Sequence, residues 1–172
     1  MKAPTFWKVV TMDESDLLER LLALFDRHRI RYCVIDGQGV NAYTEPVVSL
    51  DLDIVVAADQ VGTIDSILAG FKIERFAHSI NVSAEGSDLR IQIQTDPRYP
   101  PFVDRATRQN ILGRPLPVAA VEDVLQGKVW AASDETRRPS KRQKDLADIA
   151  RLIESHPQLR ARVPGELLDR LI

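Results

Sequence analysis

The sequence holds a single cysteine, Cys33, in 172 residues. That excludes an intrachain disulfide and any zinc site built from cysteines. Cys33 sits in the apolar run Tyr32-Cys33-Val34-Ile35, so it reads as a packed thiol and not a reactive one. Histidine is scarce as well. His28, His78 and His156 are scattered and suggest no metal site. No apolar run approaches the roughly 18 residues of a membrane span, and the first ten residues carry no cleavage-site pattern. Positive charge is not in excess: 23 basic residues face 25 acidic ones, so no global field advertises nucleic acid. Repeats and low-complexity stretches are missing too. These absences leave the expectation of a cytoplasmic protein with no membrane partner.

What is present is an ordinary globular composition, 44% hydrophobic and 28% charged, enough to build one core. Asp13 or Ser15 is placed to cap a first helix, whose apolar face runs through Leu17, Leu18, Leu21, Leu22, Leu24 and Phe25. Residues 31–35 read as a short buried strand. Asp36-Gly37-Gln38-Gly39 breaks it, and a short helix begins over Val40 to Tyr43 and is ended by Glu45-Pro46. Residues 47–56 read as a second strand. There Ser49, Asp51 and Asp53 alternate with Val48, Leu50, Leu52 and Ile54, so period two puts Asp51 and Asp53 on one face. A helix near 60–69 and strands near 71–76, 80–83 and 89–95 come next, with Gly86-Ser87 as a hairpin turn. Residues 111–118 suggest an edge strand broken by Pro115 and Pro117. Residues 120–133, 141–154 and the stretch after Pro164 read as helices, with Ser140 as a cap. The organisation is an α/β core over 1–119 and a helical extension over 120–172, packed as one unit.

The chemistry is concentrated in strand, glycine turn, helix, strand. Glycine lets backbone N–H groups approach an anion, and the helix start adds partial positive charge suited to phosphate. Two carboxylates one residue apart on a strand can share Mg²⁺, a hard cation that prefers oxygen ligands and substrate phosphates. Two adjacent unpaired carboxylates on a central strand would be costly without such a use. Five of the eight residues 137–144 are basic, a patch suited to a triphosphate or an RNA backbone. Helical spacing pairs Lys144 with Asp148, and Asp145 with Lys141 or Arg142. Trp130 reads as a core residue.

The segment 32–56, with Asp-x-Asp in an apolar frame after a small-residue turn, resembles the nucleotidyltransferase superfamily. The tail Lys128-Val129-Trp130-Ala131-Ala132, followed by Lys144-Asp145-Leu146-Ala147-Asp148-Ile149, is similar to small bacterial abortive-infection toxin-type nucleotidyltransferases. The resemblance spans about residues 13–160. It implies a polymerase-beta-type mixed sheet flanked by helices, with a helical C-terminal extension. It also implies Mg²⁺-dependent transfer of a nucleotidyl group from an NTP to an RNA, such as tRNA, or to a protein. A toxin–antitoxin setting with a cognate partner protein goes with it. Asp51 and Asp53 would hold the metal, with Asp148 as a further catalytic candidate. Gly37, Gln38, Lys128 and Lys144 would bind the nucleotide. Two positions depart from the family pattern. Asp36 takes the first place of the turn, usually glycine. Gln92, in Ile91-Gln92-Ile93, stands where a third carboxylate is usual. These departures keep a second reading open, that of a nucleotide- or partner-binding module that kept the fold.

Overall fold

The computed structural model describes residues 16–171, so the expected caps Asp13 and Ser15 lie outside the described residues. The order of elements is α1 (Leu17–Arg27), β1 (Tyr32–Ile35), α2 (Asp36–Tyr43), β2 (Asp51–Val56), α3 (Val61–Ile67), β3 (Lys72–Arg75), β4 (Ser79–Ser83), β5 (Arg90–Gln94), β6 (Thr107–Ile111), β7 (Arg114–Val118), α4 (Val121–Ser133), α5 (Pro139–Ser155) and α6 (Gly165–Leu168). The strands form one mixed sheet in the order β3-β4-β5-β2-β1-β7-β6. β2 lies at its centre, antiparallel to β1 and parallel to β5.

Alternation along the two central strands divides the core. Val34 of β1 and Leu52, Ile54 and Val56 of β2 pack on one face with Leu17, Leu21 and Phe25 of α1. Cys33, Ile35 and Val55 point the other way, into a second cluster with Val40 of α2 and Leu125, Leu146 and Ile149 of the C-terminal helices. The helices after residue 119 thus share a core with the sheet. Asp51 and Asp53 belong to this second face and extend it beyond Val55, where the helices stop covering it. Cys33 is fully buried, and burial pushes its thiol up to about 12.

Several sequence expectations change. The second strand begins at Asp51, not at residue 47. Asn41 is the cause: its Nδ2 donates to Val47 O at 2.8 Å, and its Oδ1 accepts from Val47 N at 3.1 Å. Those bonds hold the segment after Pro46 as a loop clipped to α2. Residues 107–118 form a hairpin, not a broken edge strand, and β7 is internal, parallel to β1. Its two-residue turn has positive φ at Leu112 and Gly113 (57° and 82°), as a type I′ hairpin requires. Ile111 and Arg114 are then the hydrogen-bonded pair flanking the turn. Pro115 and Pro117 fall on the alternate positions, whose missing N–H groups face β1. β1 pairs with β7 only at Val34–Val118, so nothing is lost there. Ser140 caps nothing: Pro139 takes the first position of α5, where its missing N–H has no cost.

Candidate active site

The cleft that contains the acidic pair has a volume of about 770 Å³. Its floor is the exposed part of the second sheet face. Its other walls come from the start of α2, the 96–102 loop, α4 and the start of α5. β2 presents Asp51 and Asp53 there, because Leu52 and Ile54 must face the opposite core. In register, Asp53 lies between Ile35 of β1 and Gln92 of β5. Gln92 therefore occupies the neighbouring strand position, and β5 supplies no third carboxylate.

The two aspartates differ. Asp51 Oδ1 accepts from Arg90 Nε at 2.7 Å, across the β2–β5 pair, with both side chains well exposed. Among the described residues Asp53 has no hydrogen bond or ion pair. Burial first, then the charge of Asp36 and to a smaller extent that of Asp51, hold its carboxyl well above the usual range, against the opposing pull of Lys128 and Arg137. A site of this kind is short of positive charge. No three acidic, histidine or cysteine side chains among the described residues converge to cage a cation. The pair still fits Mg²⁺, which is held by one or two carboxylates and takes its remaining oxygens from phosphates and water.

The expected break at Asp36 is instead the first residue of α2, in the left-handed region with φ 56°. That conformation costs a non-glycine residue about 1–2 kcal/mol, and a lysine offsets it. Lys128 of α4, 5% exposed, sits among three carboxylates. It pairs with Asp36 Oδ1, with Asp148 Oδ2 at 3.0 Å and with Asp145 Oδ1 at 3.3 Å. Burial alone would lower the Lys128 ammonium, but Asp36, Asp148 and Asp145 together raise it, so it stays charged. Burial would likewise raise Asp36, and Lys128, helped by Arg137 and Lys144, reverses that. The Asp36 carboxylate is thus neutralised at the turn and is not a free rival for metal or phosphate.

The remaining expected residues divide. Gly37 lines the cleft, and a Cβ there would meet nothing within 4 Å. Lys144 is exposed along the same cleft and makes no ion pair among the described residues. Asp148 lies at its inner end between Lys128 and Arg151, whose Nη1 donates to Asp148 Oδ1 at 2.9 Å. Gln38 is 2% exposed, and its side chain turns to Ser49 O and Asn41, so it braces the 44–49 loop and is not part of the cleft lining. Lys128 reaches the cleft, but its charge is already matched. The local i, i+4 pairs of α5 do not form: Asp145 accepts from Arg137 Nε at 2.7 Å and faces Lys128. Trp130 packs on the second core cluster as expected, yet one part of it lines the cleft. Sequence reasoning missed Arg90, Arg137 and the Asp36–Lys128 pair. One signal was there: Lys128 and Asp145 each fall on the apolar stripe of their helix, beside Val124 and Ile149, where a charge needs a buried partner.

The fold has solved counterparts. ANT(2″)-Ia in complex with adenylyl-2″-tobramycin superposes with a TM-score of 0.57 at 15% identity, over 86% of this chain and 97% of that one. The lincosamide antibiotic adenylyltransferase LnuA, bound to lincomycin, gives 0.53 at 17% identity, over 83% and 99%. An antigenic nucleotidyltransferase-like protein from Paracoccidioides brasiliensis gives 0.51 at 21% identity, over 84% and 77%. At these identities the likeness is one of fold. No curated protein sequence matches the chain. The sequence profile described as "Nucleotidyl transferase AbiEii toxin, Type IV TA system" matches residues 50–171, which carry Asp51, Asp53, Lys128 and Asp148. The chain belongs to the AbiEii nucleotidyl transferase family.

Proposed function

We propose that this protein transfers a nucleotidyl group from an NTP to a hydroxyl of an RNA or protein acceptor, in a toxin–antitoxin setting with a cognate partner protein. The observation that carries the reading is Asp53, an unpaired carboxylate beside Asp51 at the floor of an open cleft rimmed by Lys141 and Lys144. In the reaction an acceptor oxygen bonds to the α-phosphorus, the bond to the β-bridging oxygen breaks, pyrophosphate leaves, and the hydroxyl proton is released. Asp51 and Asp53 would hold Mg²⁺, which when bound offsets charge on the attacking and leaving oxygens. Lys144 and Lys141 draw the polyphosphate towards the start of α5. Gly37 leaves the backbone N–H groups of the turn open to an anion. Positioning and electrostatics then supply most of the rate.

The test is incubation with each labelled NTP, Mg²⁺ and either total tRNA or protein extract. Label on one acceptor class supports the reading. Absence of both label transfer and NTP binding overturns it. Gln92 in place of a third carboxylate favours a second reading, a nucleotide-binding module without turnover; NTP binding with no transfer to any acceptor is its signature. Gly37→Ala separates stability from function. The site is open and helical, so alanine is expected to stabilise the fold by about 0.5–1 kcal/mol. The added methyl stands where phosphate would approach, so NTP affinity is expected to fall several-fold. Urea denaturation and calorimetric titration read the two effects.

A further inference from the structure

One wall of the cleft is built from aromatic rings and a fixed arginine. Residues 96–101, Asp-Pro-Arg-Tyr-Pro-Pro, contain three prolines, each of which fixes φ near −65°. The loop therefore has few alternative shapes. It sets two rings against Trp130 of α4. Phe102 lies 5° from parallel with the indole at 5.8 Å between centroids, and Tyr99 meets it edge-on at 5.2 Å. Gly127, one turn before Trp130, leaves the space: a Cβ there would lie 3.2 Å from Tyr99 Cε1. Arg98 Cζ sits 4.6 Å from the indole centroid. Asp96 fixes the guanidinium in its plane, accepting from Nη2 at 2.9 Å and from Nε at 3.2 Å on both oxygens. Nη1 makes no hydrogen bond among the described residues. The Arg98 side chain is 52% exposed and lines the cleft together with Trp130.

A cation placed over an indole is more specific than a surface charge. The guanidinium is tied to Asp96 and still half exposed to the cleft. Guanidinium planes stack flat heterocycles, and the free Nη1 adds a donor at the edge. Gln92, in the lining of the same cleft, carries a side-chain amide suited to a base edge. We propose that Arg98, backed by Trp130, is the platform on which a nucleobase stacks in this cleft. The inference rests on the nucleotidyl-transfer reading for the origin of that base, which belongs to the incoming NTP or to an acceptor RNA.

Calorimetric titration of the full chain and of Arg98→Lys tests this. Lysine keeps the charge and removes the plane. One arm compares the four NTPs with inorganic triphosphate. The other compares a short single-stranded RNA with its abasic counterpart. Arg98→Lys is expected to weaken a base-bearing ligand about tenfold and to leave its base-free counterpart unchanged. An effect in the NTP arm assigns the base to the nucleotide, and one in the RNA arm assigns it to the acceptor. The proposal is overturned if the variant binds all ligands like wild type, if base-bearing and base-free ligands weaken equally, or if wild type binds neither base-bearing ligand. Label transfer that survives such a result leaves the nucleotidyl-transfer reading standing.

Discussion

Asp53→Asn is expected to lower label transfer at least about a hundredfold while making the metal-free protein more heat-stable. The two effects share one cause. The setting of Asp53 opposes its charge: the group is half-buried, has no hydrogen bond or ion pair among the described residues, and lies close to Asp36 and Asp51. A carboxyl whose folded pKa is raised contributes stability at low pH and loses it as pH rises through that pKa. Above the ordinary carboxylate range Asp53 therefore costs the fold stability. Asparagine keeps the shape and removes the charge. The same substitution removes a proposed metal oxygen that β5 does not replace, since it carries Gln92 at the adjacent position. Thermal melts with and without Mg²⁺ and NTP check the argument. Wild type is expected to gain from the ligands and the variant to gain little. A variant that is less stable than wild type without metal, or that still transfers label at the wild-type rate, contradicts this account of the site.

The parts of the fold that could be read from the chain are those set by local period. β2 is the clearest. Its apolar residues at 52, 54 and 56 must share one face, so Asp51 and Asp53 must share the other, and the structure places them so. The hairpin at Gly86 was legible for the same reason. What could not be read depends on partners remote in sequence. Helical spacing offers Lys144 to Asp148 at i, i+4, but Asp148 instead meets Lys128, on a different helix. Such exposed pairs contribute only about 0.2–0.5 kcal/mol, too little to compete with a buried lysine that needs carboxylates. The hairpin at 112–113 was missed because two prolines suggested a breakdown of pairing. The spacing of Pro115 and Pro117 by two, on a strand with a short neighbour, makes them harmless.

Lys128→Ala is expected to destabilise the protein by up to about 3 kcal/mol, the low end for breaking a buried pair, because it removes the ammonium that Asp36, Asp145 and Asp148 share. Asp145 keeps Arg137 and Asp148 keeps Arg151, so those two are partly rescued. Asp36 is not, since Lys128 is the one ion-pair partner it has among the described residues. Released, the Asp36 carboxylate would sit charged at the turn proposed to receive phosphate, and NTP binding is expected to weaken. Asp36→Gly tests whether Lys128 acts in this indirect way. Glycine takes φ 56° without strain and removes the charge. If Lys128 works by holding Asp36, adding Asp36→Gly to Lys128→Ala restores much of the NTP affinity. The double-mutant cycle should then show a coupling of about 1–3 kcal/mol in urea denaturation. If Lys128 instead contacts the triphosphate directly, the second substitution restores nothing. Binding by the double variant therefore separates a positioning lysine from a phosphate ligand. The buried place of Lys128 among three carboxylates favours positioning. It also gives a physical reason for the aspartate at this turn. The aspartate is one half of an ion pair that fastens the start of α2 to the C-terminal helices.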